Sequence, residues 1–340
     1  MHTLHLTNGD SAAISLSRSG LAGSILPWRD VLHDGPVPSD RDRSAFNRAR
    51  GTFLSRSGWA TAEAIAADLS ARDGQLDAVQ TGDELVLWFE PDLYDQLQLI
   101  QVLARIAARE PALRPRITIV PADCFLGPLE PSSMPPLYDA RRDLTDEDVA
   151  VSASAWEAFT ATTPNALPAC ISALEARSAA RTYADDDAVR LPHLAAAIRR
   201  MLEEYPDTKG GLSRTERQIC EVLAAGGRTM GATFQAQQRA ESWLWLGDMS
   251  FAWYVQRLSE CAQPLIVQRS GAAVIGPPPM TDAKAYWDRP VELTPFGQEV
   301  LRGNADHITA NGIDRWYGGV HATSSQYWRW DPHYHRLNAS

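Results

Sequence analysis

Over the first 125 residues, short apolar runs alternate with longer stretches whose apolar positions recur at helical spacing. "HTLHLT" predicts a strand and "DSAAISLSRSG" a helix; "SILPW" predicts a second strand, followed by the loop "RDVLHDGPVPSD" and the helical stretch "RSAFNRARGTFLSR". "DELVLWFE" then reads as a third strand, "PDLYDQLQLIQVLARIAA" as a strongly amphipathic helix and "RITIV" as a fourth strand. Strands alternating with helices in this way predict a parallel sheet with crossover helices. Helix starts fit the pattern: Asp10 or Ser11 can cap the first helix, and Pro91 followed by Asp92 opens the one after the third strand.

From 126 to 148 the texture changes to proline and charge, "GPLEPSSMPPLYDARRDLTDEDV", which predicts a linker. Helical patterns follow in "DEDVAVSASAWEAFTA", "NALPACISALEARSAA" and "AVRLPHLAAAIRRMLEEYP", a connector over 149–208. From 209 to 340 a further set begins with "LSRTERQICEVLAAGG", where Ser213 and Glu216 have capping-box spacing and Gly226 and Gly227 mark the stop. Two more helical stretches, "MGATFQAQQRAESWLWLGD" and "MSFAWYVQRLSECAQ", precede the strand-like "PLIVQRSGAAVIG" and "RPVELTPFGQEVL". Three helices and a strand pair are the parts of a winged helix. The last forty residues are dense in Trp, Tyr, Gly and His, which predicts packing against other elements. The expected fold class is therefore α/β: an N-terminal, mostly parallel sheet over 1–125, a helical connector and a winged-helix-like C-terminal part.

A chain of 340 residues is long enough for two domains, and 44% hydrophobic with 22% charged residues is ordinary for a globular protein. A net charge of -10 disfavours broad nucleic-acid binding, because phosphate affinity rests on Lys and Arg. Cys124, Cys170, Cys220 and Cys261 lie far apart with no CxxC pair, which fits reduced thiols in a cytoplasmic protein. No apolar run reaches membrane-spanning length, so no membrane partner is expected.

"HLTNGDSAAISL", "VLHDGPVP", "LVLWFEPDLYDQLQLIQVLARI" and "ITIVPAD", in that order and spacing, resemble the bacterial family catalogued as domain of unknown function eighteen thirty-five. The resemblance spans roughly residues 1 to 125, and "LSRTERQI", "GDMSFAWYVQRL", "LTPFGQEVLRG" and "NGIDRWYGGVH" look like the longer proteobacterial members. It implies an architecture and no activity. "GLSRTERQICEVLAAGG" is also similar to the first helix of response-regulator output domains, a frequent start among helix-turn-helix variants.

Ligands of open parallel sheets bind outside the carboxyl ends of the strands. Those ends carry Asn8, Gly9, Asp10 and Ser11; His33, Asp34, Gly35 and Pro36; Glu90, Asp92, Tyr94, Asp95 and Gln96; and Asp123. Ser11 with the Asp30-x-x-His33 pair spells a GDS-type serine hydrolase, although that pair follows Ser11 by only some twenty residues. Asp10, Asp34 and Glu90 offer hard oxygens for magnesium, and amides after Gly9 can hold phosphate. The alternative for Asp10 and Ser11 is helix capping, with Asp34-Gly35-Pro36 a plain turn.

There is no GxGxxG after the first strand and no P-loop. His307, His321, His333 and His335, the last two beside Asp331, lack zinc-site spacing, and Trp243, Trp245 and Trp253 read as core. The leading expectation is a small phosphorylated or nucleotide-like ligand at the Asp10/Asp34/Glu90 edge, with "GIDRWYGG" and "WRWD" folding back so that Arg315 or Arg329 contacts the anion. The competing expectation is a transcriptional regulator whose recognition helix, around "TFQAQQRAESW", has few basic residues. An interaction scaffold without a small ligand is the third.

Overall fold

The computed structural model describes residues 2–39, 41–58, 60–179, 191–226, 228–276 and 282–340. Two units emerge, the first comprising Met1–Arg199 with Trp316–Val320 and the second Arg200–Arg315 with His321–Ser340.

In the first unit the elements run β1 (Thr3–Thr7), α1 (Asp10–Ser17), β2 (Ser24–Pro27), α2 (Arg43–Leu54), α3 (Ala62–Asp77), β3 (Glu84–Trp88), α4 (Leu93–Ala107), β4 (Arg116–Ile119), α5 (Met134–Asp139), β5 (Arg142–Asp143), α6 (Asp146–Thr160) and α7 (Leu167–Ala179). The sheet order is β2-β1-β3-β4-β5, parallel throughout except for the antiparallel edge strand β5. β3 is buried at every position, as a central strand covered on both faces must be.

Three features depart from the sequence expectations. α3 went unpredicted because its Ala-rich stretch has almost no apolar stripe; it buries Arg72 and Asp73 beside Leu69 and Leu76. The segment 126–148 is structured, supplying α5 and the edge strand β5, and Met134 packs with Leu126 and Trp88 in the core. The connector helices α6 and α7 belong to the first unit, with Trp156 of α6 buried against Phe46 of α2 at a ring separation of 6.4 Å. A proline-rich composition signalled a linker, whereas large apolar side chains decided the boundary.

Arg50 of α2 is fully buried and organises the loop after β2. Its Nη2 donates to Asp30 Oδ1 at 2.7 Å and to the Val31 carbonyl at 2.8 Å, and its Nη1 donates to the carbonyls of Asp34 and Pro36 at 2.9 and 3.0 Å. Gly35 in this loop has φ +74°, and a Cβ there would lie 2.4 Å from the Phe53 ring. Gly35→Ala should therefore cost about 1–3 kcal/mol, from the left-handed backbone and the overpacking together, read as a lowered urea midpoint; an unchanged midpoint would sink the expectation. The next amide, Val37 N, donates to the Gly318 carbonyl at 2.9 Å, and Gly319 N donates to the Phe159 carbonyl at 3.0 Å. A side chain at Gly318 would strike the Phe159 carbonyl at 2.2 Å, so this approach requires glycine.

The unit boundary falls within α8 (Leu194–Leu202). The second unit continues with α9 (Arg214–Ala224), β6 (Arg228–Thr229), α10 (Met230–Gln238), α11 (Asp248–Ser259), β7 (Ile266–Gln268), α12 (Ala283–Trp287), β8 (Pro290–Leu293), α13 (Pro295–Arg302) and α14 (His307–Asn311). Two hairpins follow, β9 (Asp314–Tyr317) with β10 (Val320–Thr323), whose residues Trp316–Val320 belong to the first unit, and β11 (Trp328–Asp331) with β12 (Arg336–Ala339) in the second. β6, β8 and β7 form an antiparallel sheet in that order. Ser213 and Glu216 form the expected capping box, and Gly226 follows the helix end with φ +139°. Gly227 and residues 180 and 188–190, expected as a helix stop and as helix termini, lie outside the described residues.

A buried carboxylate, Glu204, ties the second unit together: it accepts from Arg200 Nη1 at 2.7 Å, Thr215 Oγ1 at 2.6 Å and the Tyr254 hydroxyl at 2.6 Å. These donors and the neighbouring Arg315 overcome burial and hold it down at about 2. Trp245 is buried as expected, but it and Trp243 lie in the connection between α10 and α11 rather than on a helix.

Candidate active edge of the parallel sheet

Because β1 has β2 on one side and β3 on the other, the chain changes direction across the sheet between β1 and β3. Crevices at such reversals, at the carboxyl ends of the strands, are where open α/β sheets bind ligands. Asn8 leaves β1 here, and Glu90, Asp92 and Asp95 follow β3. Asn8 Nδ2 donates to Asp95 Oδ1 at 2.7 Å and so joins the two strand ends.

The three carboxylates converge, with one oxygen of each lying within 4.8 Å of the others, and all three are buried. Local backbone explains how. Asp92 caps α4, accepting from Asp95 N at 3.0 Å; Asp95 reaches back to accept from Glu90 N at 2.5 Å; and Glu90 Oε1 accepts from Leu126 N at 2.7 Å, pinning the loop after β4. Burial raises the pKa of all three, favouring their protonated forms. Asp92 is pushed up to about 7 by burial and then by the neighbouring Glu90 charge, and Asp95 is driven well above its ordinary range by burial and both neighbours.

Elsewhere in this unit several buried carboxylates come with arginine. Asp30 has Arg50, Asp73 has Arg72 and Arg105, Glu84 has Arg141, and Asp148 has Arg177. No lysine or arginine among the described residues pairs with Glu90, Asp92 or Asp95. Three hard oxygen donors without a cationic side chain can either share protons or hold a divalent cation.

A cavity of about 130 Å³ adjoins the cluster between the ends of β3 and β4, lined by Phe89, Gln96, Leu99, Val120, Ala122, Asp123, Arg142, Leu191 and His193. Gln96 Nε2 donates to the Glu90 carbonyl at 2.8 Å, while its buried Oε1 has no hydrogen-bond partner. At the mouth, His193 Nε2 lies 3.0 Å from Asp123 Oδ1. No family model matches the chain, and no curated protein matches it either.

The expected site residues distribute unevenly over this geometry. Glu90 is assembled with Asp92 and Asp95, not with Asp10 and Asp34 as the magnesium set was expected to be. Asp10 is exposed at the first position of α1 and accepts from Arg29 Nε at 2.8 Å, which holds its pKa below the usual carboxylate range. Neither Asp10 nor Ser11 caps α1: Gly9 occupies the cap position and no side chain bonds the first-turn amides. Asp34 Oδ1 accepts from Gly35 N at 3.0 Å within its own loop.

Asp30 is committed to Arg50, so the Asp30-x-x-His33 spelling does not make a catalytic pair; His33 is buried with its ring edge-on to Tyr94 at 5.9 Å. Ser11 is exposed on α1 beside Gly127. Arg315 pairs with Glu216 at 2.8 Å and Arg329 pairs with Asp306 through both nitrogens at 2.7 and 2.8 Å. Both guanidinium groups are thus held by carboxylates of the second unit rather than kept for an anion. Of the two segments expected to fold back, "GIDRWYGG" contributes Trp316, Tyr317, Gly318 and Gly319 to the first unit and its earlier residues to the second, and "WRWD" belongs to the second.

Among the histidines, His321 pairs with Asp314 at 2.7 Å and His307 bonds Asn311 at 2.9 Å. Asp92 and Asp95 stand at the expected edge, and their spacing from Glu90, two and five positions on, is the sequence signal that groups the three. Arg142 and His193 had none, because the chain fold alone brings them to the cavity.

Proposed function

We propose that the N-terminal unit binds a small phosphorylated or nucleotide-like ligand through a divalent cation, magnesium by its preference for hard oxygens, held at Glu90, Asp92 and Asp95. One observation carries this: three buried carboxylates meet at the strand crossover with no cationic side chain among the described residues paired to them. The uncapped amides at the start of α1 supply a second, anion-seeking feature at the same edge. We further propose that the chain is a member of the domain of unknown function eighteen thirty-five, since the motifs that resemble that family lie on these same strand ends and loops.

Titration of the full chain with manganese, followed by the loss of the free-ion spin-resonance signal, tests the site. One equivalent should bind, more tightly above pH 7 than at pH 5 because the carboxylates must first release their protons. Asp92→Asn should weaken binding at least tenfold. ADP and ribose 5-phosphate should then raise the melting temperature only with the metal present. Failure of manganese to bind at about 10 mM would refute the assignment, since a site that weak holds no resident cation.

A regulator is the second reading, favoured by the element order α9, β6, α10, α11, β7, α12, β8 and the antiparallel β6-β8-β7 sheet, which resemble a winged helix with a short helix between its last two strands. In that arrangement α11, not the α10 region, would be the recognition helix. It begins at Asp248, and its Arg257 stacks on Tyr254 at 4.5 Å, a surface poor in phosphate contacts. Salt-dependent binding of duplex DNA in the same melting assay would favour this reading over the first.

A further inference from the structure

We propose that His5 is an acid-released latch: with a neutral ring it holds the loop before β2 and helix α5 against the parallel sheet, and on taking a proton it lets them go. The device uses none of the three clustered carboxylates and goes beyond the cation-dependent function, so each can fail alone.

The hydrogen bonds decide the state of the ring. His5 projects from β1 with 1% exposure, and its two nitrogens meet partners of opposite kind. Nδ1 accepts from the Trp88 indole at 3.1 Å, and Nε2 lies 3.1 Å from the Ala22 carbonyl. An indole nitrogen only donates and a carbonyl only accepts, so Nδ1 is bare and Nε2 carries the hydrogen. A second proton has only Nδ1 to occupy, where it sets N–H against N–H. The Trp88 bond is then lost, and the indole, itself 1% exposed, is left buried without its acceptor.

The surroundings do not compensate the added charge. His2, Glu84, Tyr138 and Arg141 face the ring, while residues 22–25 bring no charge to it. Glu84 is the carboxylate of this group, and its Oε1 already accepts from Arg141 Nε at 2.9 Å and Thr118 Oγ1 at 3.0 Å. Arg141 also lies over the Tyr138 ring at 3.7 Å, and His5 meets that ring at 5.6 Å, so protonation would bring a second cation to a side chain that already holds one. Burial accordingly keeps the imidazole below its ordinary pKa. Folded His5 therefore takes a proton less readily than the unfolded chain does, and this packing loses stability as pH falls through the ordinary imidazole range. The ring touches several segments at once. Gly23, at φ +139°, brings the loop before β2 so close that a Cβ there would lie 2.9 Å from His5 Cδ2. Tyr138 belongs to α5, and Trp88 of β3 shares one apolar core with Leu126 and Met134. One proton thus loosens contacts of β3, α5 and the loop together.

Full-length protein labelled with 15N-tryptophan reports on the Trp88 indole, assigned by its disappearance in Trp88→Phe, and amide exchange of Ala140 and Arg141 reports on the end of α5. Between about pH 7.5 and about pH 4.5 the indole resonance should shift in one step centred below about 6.5, the ordinary imidazole value. Across that step, exchange at both amides, corrected for its intrinsic pH dependence, should quicken by about tenfold or more. His5→Asn, whose Oδ1 can accept from the indole but takes no proton, should abolish both changes. Trp88→Phe removes the donor that opposes protonation, so the exchange step should move up toward about 6.5. An indole that does not shift by about pH 4.5, or a step that survives His5→Asn, would overturn His5 as the sensor. A shift without faster exchange would overturn the latch, and an exchange step unmoved in Trp88→Phe would overturn the role of the indole bond.

Discussion

Arg50→Ala should destabilise the N-terminal unit by about 3–5 kcal/mol, because it strands a buried carboxylate and several loop carbonyls at once. Asp30 and Arg50 both have fully buried side chains, so removing the guanidinium leaves the Asp30 charge without compensation. Asp30 would lose the donors on both carboxylate oxygens together, since they are Nε and Nη2 of the same fork. Arg50→Lys should rescue little: an ammonium cannot span Asp30, Val31, Asp34 and Pro36 in the plane that the guanidinium covers. Native-state hydrogen exchange at the β1 and β3 amides isolates this unit from the second and gives the free energy directly. A loss below about 1 kcal/mol would mean that water replaces the arginine and that the loop does not depend on it. Replacing both partners with apolar residues, Arg50→Met with Asp30→Leu, should recover part of the loss, as is usual for buried pairs.

The second large effect is a gain. Asp92 stands at about 7 in the folded protein against an ordinary value of 3.8. The native state therefore holds a proton that the unfolded chain has released, and stability falls as pH rises between those values. Glu90 and Asp95 are displaced in the same direction and steepen the fall. Asparagine cannot ionise and caps a helix as well as aspartate does, so Asp92→Asn keeps the α4 start while removing the penalty. At about 1.4 kcal/mol per unit of displacement, Asp92→Asn should match the wild type near pH 4 and exceed it by roughly 2–4 kcal/mol at pH 8. Urea unfolding across that range measures it, and parallel profiles for the two proteins would contradict the burial-driven displacement. Magnesium at pH 8 should raise the wild type toward the variant and leave the variant unmoved.

The parallel sheet was legible because β1, β3 and β4 are short apolar runs separated by polar turns, and α4 carries a wide apolar stripe. α3 was not, since its buried surface includes Arg72 and Asp73, residues that periodicity counts as solvent-facing. The same limit hid Arg50, whose burial depends on where Asp30 and the loop carbonyls arrive. At the site, strand ends located the edge, and residue type marked Glu90, Asp92 and Asp95 as acidic. Sequence could not say which acids meet an arginine. Asp10 meets Arg29, Asp30 meets Arg50, and the trio meets neither; that sorting follows from sheet order and loop path.

The first unit is discontinuous in the chain, and this has a consequence for its birth on the ribosome. Val37 N and the Phe159 carbonyl await Gly318 and Gly319, which are made more than a hundred residues after Arg199. At synthesis rates of about 5–20 residues per second, the nascent sheet spends roughly 6–25 seconds with those two backbone groups open. During that interval its loop edge stays open, and the first unit is complete only once Trp316–Val320 has been made.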